Sequence, residues 1–189
     1  MAEPIARSEF ILGGQRSGKS RRAELIARHW LSAALDHRTV LIATGQAWDD
    51  EMRERIARHQ RDRAERVPGM LTVEEPRALA ETLTLHSAAQ TLVVVDCLTL
   101  WLTNLTMPAE GVDAVDPAAP TLALCQAIAA VPGPVVLVGN EIGLGVIPMG
   151  REVRAFVDAL GALNQAVAAA SERVTLMAAG LPLTLKAPA

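Results

Sequence analysis

The sequence has no tyrosine, two phenylalanines and three tryptophans, so aromatics supply only 3% of its 189 residues. A hydrophobic core must therefore be assembled from Leu, Val, Ile and Ala. Cysteine is almost as scarce: Cys97 and Cys125 are the only two, too few for a disulfide framework in a chain of this length, and they read as reduced intracellular thiols. Charge of one sign is lacking too. Eighteen basic residues stand against 21 acidic ones, a net charge of -3, which gives no overall attraction to nucleic acid or to an acidic membrane surface. The segment Met1–Phe10 has no apolar run of the signal-peptide kind. No apolar stretch reaches membrane-spanning length without a proline or polar break. These absences lead us to expect a cytoplasmic protein without a membrane span.

What the sequence does contain is apolar residues, half of the total. Their burial can offset the entropy of ordering the chain, so whole-chain disorder is excluded. They fall in short continuous runs separated by helical patterns. Phe10-Ile11-Leu12 ends at Gly13-Gly14 and is followed by a helix over about 19–35. Thr39–Ala43, Met70–Glu74, Thr91–Asp96, Pro134–Gly139, Arg173–Ala178 and Leu183–Lys186 read as further strands, the continuous ones as strands covered on both faces. Asp49-Asp50-Glu51 puts acidic residues in the first turn of a helix extending to about Arg63. Pro76 suits the first position of another helix, and Arg151–Ser171 forms a long one. Pro108–Pro120, rich in Pro, Ala and acidic residues, reads as a mobile loop or lid. With no internal repeat, the expectation is one α/β domain over 1–189, with a flexible N-terminal extension over 1–8. Because the Phe10-Ile11-Leu12 run leads into Gly13-x-x-x-x-Gly18-Lys19-Ser20 and then a helix, the expected architecture is a three-layer P-loop NTPase fold with a mostly parallel central sheet.

The motif that carries chemistry is Gly13-Gly14-Gln15-Arg16-Ser17-Gly18-Lys19-Ser20, which matches G-x-x-x-x-G-K-[ST] at every fixed position. Glycines let backbone N–H groups curl around phosphate oxygens, and the following helix offers its own unsatisfied N–H groups. Lys19 should reach the β- and γ-phosphates of a nucleotide, and Ser20 should ligate Mg²⁺. The pattern sits between a strand and a helix, as the mechanism requires. Asp96 ends the Val93-Val94-Val95 run, where a second Mg²⁺-linked carboxylate belongs in this class.

Six arginines crowd 53–66. At about 100° per residue, Met52, Ile56, His59 and Arg63 share one side of that helix, with Arg55 at its margin. Two readings stand side by side. The face packs beside a nucleotide, with arginines holding phosphates and His59 serving as nucleophile or acid–base group. Or it is a solvated basic helix carrying a satisfied, partly buried histidine, which spacing alone favours. His29, His37 and His86 read as structural. Cys97 has no thiol-activating or metal-binding company.

Taken together, the motifs resemble the adenosylcobinamide kinase/adenosylcobinamide-phosphate guanylyltransferases of cobalamin biosynthesis. The phosphate loop is matched with its inner Arg16-Ser17 pair. So are Ile42-Ala43-Thr44-x-Gln46, Asp49-Asp50-Glu51-Met52, Arg55-Ile56-x-x-His59 and Thr72-Val73-Glu74. Asp96-Cys97-Leu98-Thr99, Trp101-Leu102-Thr103-Asn104-Leu105, Asn140-Glu141-Ile142-Gly143-x-Gly145-x-x-Pro148 and Asn164-Gln165 follow in order over nearly the whole chain. The resemblance implies two activities on one site. These are phosphorylation of the aminopropanol hydroxyl of adenosylcobinamide by ATP or GTP, and transfer of GMP from GTP to that phosphate with release of pyrophosphate. It also implies that His59 carries the guanylyl group. Guanine-nucleotide contacts carry over to Gly13 through Ser20, to Thr44, Gly45 and Gln46, to Gln60, Arg61, Asp62 and Arg63, and to Glu74 and Asp96. The resemblance also implies a homo-oligomer, a trimer, and no nucleic-acid partner is expected. Two rival readings are a P-loop kinase for another metabolite, with His59 structural, and a nucleotide-dependent switch. Against the switch, the Asn-Lys-x-Asp guanine signature is missing, and Asn140-Glu141 does not supply it.

Overall fold

The computed structural model describes residues 4–47 and 49–188, and every side chain within them except that of Arg55. In chain order the elements are β1 (Ser8–Gly13), α1 (Lys19–Ala33), β2 (Arg38–Ala43), α2 (Asp50–Arg66), β3 (Leu71–Glu74), α3 (Leu79–His86) and β4 (Thr91–Asp96). There follow α4 (Leu98–Thr106), α5 (Ala118–Ala130), β5 (Val135–Val138), α6 (Arg151–Ala170), β6 (Arg173–Ala178) and β7 (Leu181–Lys186).

The apolar strand runs pair as expected for a sheet covered on both faces. Seven strands form one sheet in the order β3-β2-β4-β5-β1-β6-β7, parallel except for the antiparallel β7 at one edge. Alternating side chains of β1, β4 and β5 feed two cores. Phe10, Val93, Val95, Val135 and Leu137 join Leu98, Trp101, Leu102, Leu124, Leu160 and Leu163 on one face. Ile11, Leu92, Val94, Val136 and Val138 meet Ala23 and Ala27 of α1 on the other. With few rings available, Trp101 and Phe10 are, among the described residues, the aromatics that stand with the largest fully buried side chains. Gly139 makes room for Phe10: a Cβ there would lie 2.8 Å from the ring.

Several sequence expectations are corrected. Pro76 does not start α3; the helix begins three residues later at Leu79, because Glu75 Oε1 accepts the N–H groups of Arg77 and Ala78 and holds an intervening turn. The 108–120 segment is not all loop. Ala118 opens α5, and Pro120 lies in its first turn, where a missing N–H costs no helical bond. α4 was not anticipated, although Leu98, Trp101, Leu102 and Leu105 recur at helical spacing and are all buried. Of the 1–8 segment, residues 1–3 fall outside the described residues, Ala6 is buried and Ser8 is the first residue of β1. His37 stacks on Trp30, ring centroids 3.7 Å apart, with Nδ1 2.8 Å from the Trp30 carbonyl oxygen. Among the described residues no helix is long and apolar enough to cross a membrane.

Candidate active site

β1 ends in the turn that the glycines make possible. Gly13 has φ 151°, and a Cβ on it would stand 2.5 Å from the Met177 carbonyl oxygen and 2.6 Å from Ser17 Oγ, so no side chain fits. Gly18 (φ 100°) caps α1 without a side-chain acceptor, whereas Asp49 caps α2 by accepting from Met52 N–H at 2.7 Å. The first-turn N–H groups of α1 are thus left for an anion, and the helix dipole favours one there. Lys19 is buried and its Nζ donates to the Gly14 carbonyl at 2.7 Å, which holds the ammonium over the loop. Ser17 Oγ is buried with no hydrogen-bond partner among the described residues. Gly180 N–H, in the β6–β7 turn, donates to the Ser17 carbonyl and braces the loop from outside. Gln15 and Arg16 are exposed on the loop, and Ser20 is half-buried.

Asp96 ends β4 on the same edge of the sheet. β5 lies between β1 and β4, and Val138 is level with Ile11 on one side and with Asp96 on the other. A hydroxyl from Ser20 and a carboxylate from Asp96 are hard oxygen donors of the kind Mg²⁺ takes, one or two from protein and the rest from phosphates and water. The donor set fits that ion. Among the described residues there is no gathering of three or more His, Cys, Asp or Glu side chains that would suit a closed metal site. Cys97, next in sequence, is an inert thiol: burial, reinforced by the Asp96 charge, pushes its pKa up to about 11.

α2 crosses this edge. Met52, Ile56 and Arg63 are half-buried, while His59 is exposed. The Arg63 guanidinium has its pKa lowered by burial, an effect countered by the charges of Asp96 and Glu24. Arg66 Nη1 donates to Glu24 Oε2 of α1 at 2.9 Å, and this bond raises its pKa. Gln60 and Arg61 are exposed, and the Asp62 carboxylate accepts from Arg66 at 3.3 Å. Residues 60–63 cover most of a helical turn, so they point in different directions and do not converge on one point. Arg55 has its side chain outside the described residues.

A cleft of about 570 Å³ opens at the ends of β2 and β3, lined by Gly45, Gln46, Ile56, Glu74, Pro76 and Ala109 among others. Three sequence-predicted nucleotide contacts, Gly45, Gln46 and Glu74, therefore share one cavity. Ile56 brings α2 to it, and Ala109 brings the loop after α4. Glu74 is four strand positions from Gly13, on the order of 19 Å at the usual ~4.8 Å strand spacing. The phosphate cradle and this cleft are separate features on one sheet edge. Along α2, His59 lies three residues beyond Ile56, which lines the cleft, and four before Arg63, which feels the charges of Asp96 and Glu24. Thr44 is not in the cleft. It is fully buried beneath it, its Oγ1 donating to the Cys97 carbonyl at 2.7 Å and accepting from Cys97 N–H at 2.9 Å.

The supporting polar network was not assigned from sequence. Asn104 Nδ2 donates to the Thr44 carbonyl and to the Pro76 carbonyl. Arg77 Nη1 donates to the Asn104 carbonyl and Nη2 to the Asp113 carbonyl, tying in the loop before α5. On the cradle side, Asn140 N–H donates to Thr99 Oγ1 and Asn164 Nδ2 donates to the Asn140 carbonyl. The signal for Asn104 was present: a single amide among Leu98, Trp101, Leu102 and Leu105 on the buried face of a helix needs polar partners.

A mostly parallel sheet with a glycine turn and helix at the end of β1, and a carboxylate at the end of a nearby strand, defines a P-loop nucleotide-binding α/β protein. A solved structure of the flagellar accessory protein FlaH from Methanocaldococcus jannaschii shares this fold. It aligns over 97% of this chain and 80% of its own with a TM-score of 0.55, at 11% identity. The chain belongs to the cobinamide kinase/cobinamide phosphate guanyltransferase family, whose model matches residues 9–185. Among its relatives is the bifunctional adenosylcobalamin biosynthesis protein CobP of Pseudomonas aeruginosa, 47% identical over 178 residues, covering 94% of this chain and 96% of the relative. The protein of that description from Escherichia coli, CobU, is 34% identical over 187 residues, covering 94% and 98%. The chain is accordingly an enzyme, a kinase and nucleotidyltransferase of cobalamin biosynthesis.

Proposed function

We propose that the protein phosphorylates the aminopropanol hydroxyl of adenosylcobinamide with ATP or GTP. It then transfers GMP from GTP to the new phosphate through a guanylylated His59, giving adenosyl-GDP-cobinamide and pyrophosphate. The observation that carries this reading is the place of His59 along α2, exposed, three residues after Ile56, which lines the Glu74 cleft, and four before Arg63, whose guanidinium feels the charge of Asp96. A histidine in that position can address the α-phosphorus of a nucleotide whose base and polyphosphate are held on opposite sides of it.

In the kinase step the loop from Gly13 to Ser20 and Lys19 hold the triphosphate, and the acceptor hydroxyl attacks the γ-phosphorus in line. In the second step a neutral imidazole nitrogen of His59 attacks the α-phosphorus of GTP. A P–N bond forms, the P–O bond to the β-phosphate breaks, and pyrophosphate leaves with its negative charge facing Lys19 and the arginines of α2. A phosphate oxygen of cobinamide phosphate then displaces the imidazole, which is regenerated. Ser20 and Asp96 would hold Mg²⁺, which supplies charge neutralisation at the phosphate oxygens. Glu74 suits guanine, because a carboxylate accepts from the adjacent N1–H and 2-amino groups.

We further take the enzyme to act in the cytoplasm, as its two free thiols fit, with no nucleic-acid partner. We also take it to be a homo-oligomer, with a trimer as the state the family resemblance implies; association is supported by the exposed Leu181, Leu183 and Leu185 on edge strand β7, since an edge with apolar side chains invites pairing with another chain.

The test is incubation with Mg²⁺ and GTP labelled on the α-phosphate, followed by denaturation. Acid-labile, alkali-stable label on the protein, absent from His59→Ala, is the expected result. No such label under conditions where GTP binds would return the chain to a plain P-loop kinase and His59 to a solvated histidine.

A further inference from the structure

The segment joining β5 to α6 has an unusual surface. Leu144 is 83% exposed, Val146 96%, Ile147 78% and Met149 96%, with Ile142 and Val153 also exposed. Contiguous apolar side chains in water mark a surface that something covers. The backbone beneath them is nevertheless held at both ends. Glu141 N–H donates to the Gly13 carbonyl at 3.2 Å, and Gly143 N–H to Glu141 Oε1 at 2.8 Å. At the far end the Arg154 guanidinium binds the carbonyls of Pro148 and Met149. At the root, Asn164 is buried, donates to the Asn140 carbonyl, and keeps an Oδ1 with no partner among the described residues.

We propose that residues 142–149 form the docking surface for the corrin macrocycle of the acceptor, and this rests on the function proposed above. The bond from Glu141 to Gly13 roots the segment at the strand end from which the phosphate loop springs. In the kinase step the acceptor hydroxyl, carried on a short arm, must meet the γ-phosphorus in line. The macrocycle is too large to follow it into the cradle, so it rests on the surface adjoining it. The two faces of a corrin are largely apolar and its rim carries amides. Leu144, Val146, Ile147 and Met149 supply apolar cover for a face. A second copy of this chain has a different surface available, the outer edge of β7, where Leu181, Leu183 and Leu185 recur at every second position of an edge strand.

The experiment uses the full chain carrying Val146→Asp, Ile147→Asp or Met149→Asp, with Ile147→Leu as the conservative partner. It measures KM for cobinamide and for the nucleotide in the kinase step, cobinamide binding by its visible absorbance, and particle mass by light scattering. The expected result is a rise of roughly tenfold or more in cobinamide KM and Kd for each Asp variant, the scale set by loss of one buried aliphatic contact. Nucleotide KM and particle mass should stay unchanged, and Ile147→Leu should behave as the parent. Unchanged cobinamide KM in all three Asp variants overturns the proposal. A fall in particle mass also overturns it, because the segment is then an interface between copies. Failure of the underlying reading is distinct: the unmodified enzyme would then phosphorylate no cobinamide at all.

Discussion

Asn104 and Thr44, sixty residues apart, are joined by a 2.7 Å hydrogen bond from the Asn104 amide to the Thr44 carbonyl, and the same nitrogen reaches the Pro76 carbonyl at 3.1 Å. One buried side chain on α4 thus ties the segment after β2 to the segment after β3, the two walls of the Glu74 cleft. Replacing Asn104 by Ala leaves two carbonyls without their donor, a loss of about 1–3 kcal/mol for a buried unsatisfied group. We expect Asn104→Ala to lower the thermal midpoint by several degrees and to raise KM for GTP. Differential scanning calorimetry and steady-state kinetics check both.

His59 and Lys19 separate the two reactions. His59→Ala should abolish guanylyl transfer while sparing much of the kinase step, because only the former needs the imidazole. Formation of GDP-cobinamide at the parental rate by this variant would remove His59 from the chemistry.

Lys19→Ala should damage both steps, since both require the triphosphate held in the cradle that Lys19 Nζ spans through Gly14. Loss of a charge-assisted contact to phosphate is worth about 1.5–3 kcal/mol, a fall of roughly ten- to a hundredfold in kcat/KM. Normal turnover of either step by this variant would contradict a shared phosphate site.

Glu74→Gln keeps the shape of the cleft but gives up the double acceptor that guanine's N1–H and 2-amino groups need. Guanylyl transfer from GTP should fall, and the preference for GTP over ITP, which lacks the 2-amino group, should shrink. Competition between the two nucleotides in the labelling reaction reads this directly.

Burial of Cys97 has a pH consequence. Its thiol titrates near 9 when exposed and at about 11 in the fold, so the native state holds this proton more tightly than the unfolded chain does. The contribution is neutral below pH 9, and stability is lost as pH rises from about 9 to about 11. Denaturant titrations across that range should show the decline, and Cys97→Ala should flatten it. Cys125, only half-buried, should take up alkylating reagent before Cys97 does.

Much of this molecule was determined by the sequence alone. The short apolar runs within β1, β2, β4 and β5 read as strands covered on both faces, because they are too short for helices and leave no polar side for water. The phosphate loop was equally legible, since its spacing follows from how backbone N–H groups and one lysine must surround a phosphate. What tertiary structure decided is everything that depends on strand order. Nothing local says that β5 inserts between β1 and β4, that Glu74 and Gly45 meet Ile56 in one cleft, or that His59 is left exposed on α2. Those placements come from which strands pair and how α2 crosses the sheet edge, a matter of long-range packing. The same is true of Thr44, whose hydroxyl is claimed by Cys97 beneath the cleft. Its polar character signals a contact, but only the fold chooses the partner, because a hydroxyl satisfies itself with whichever backbone the packing brings within reach.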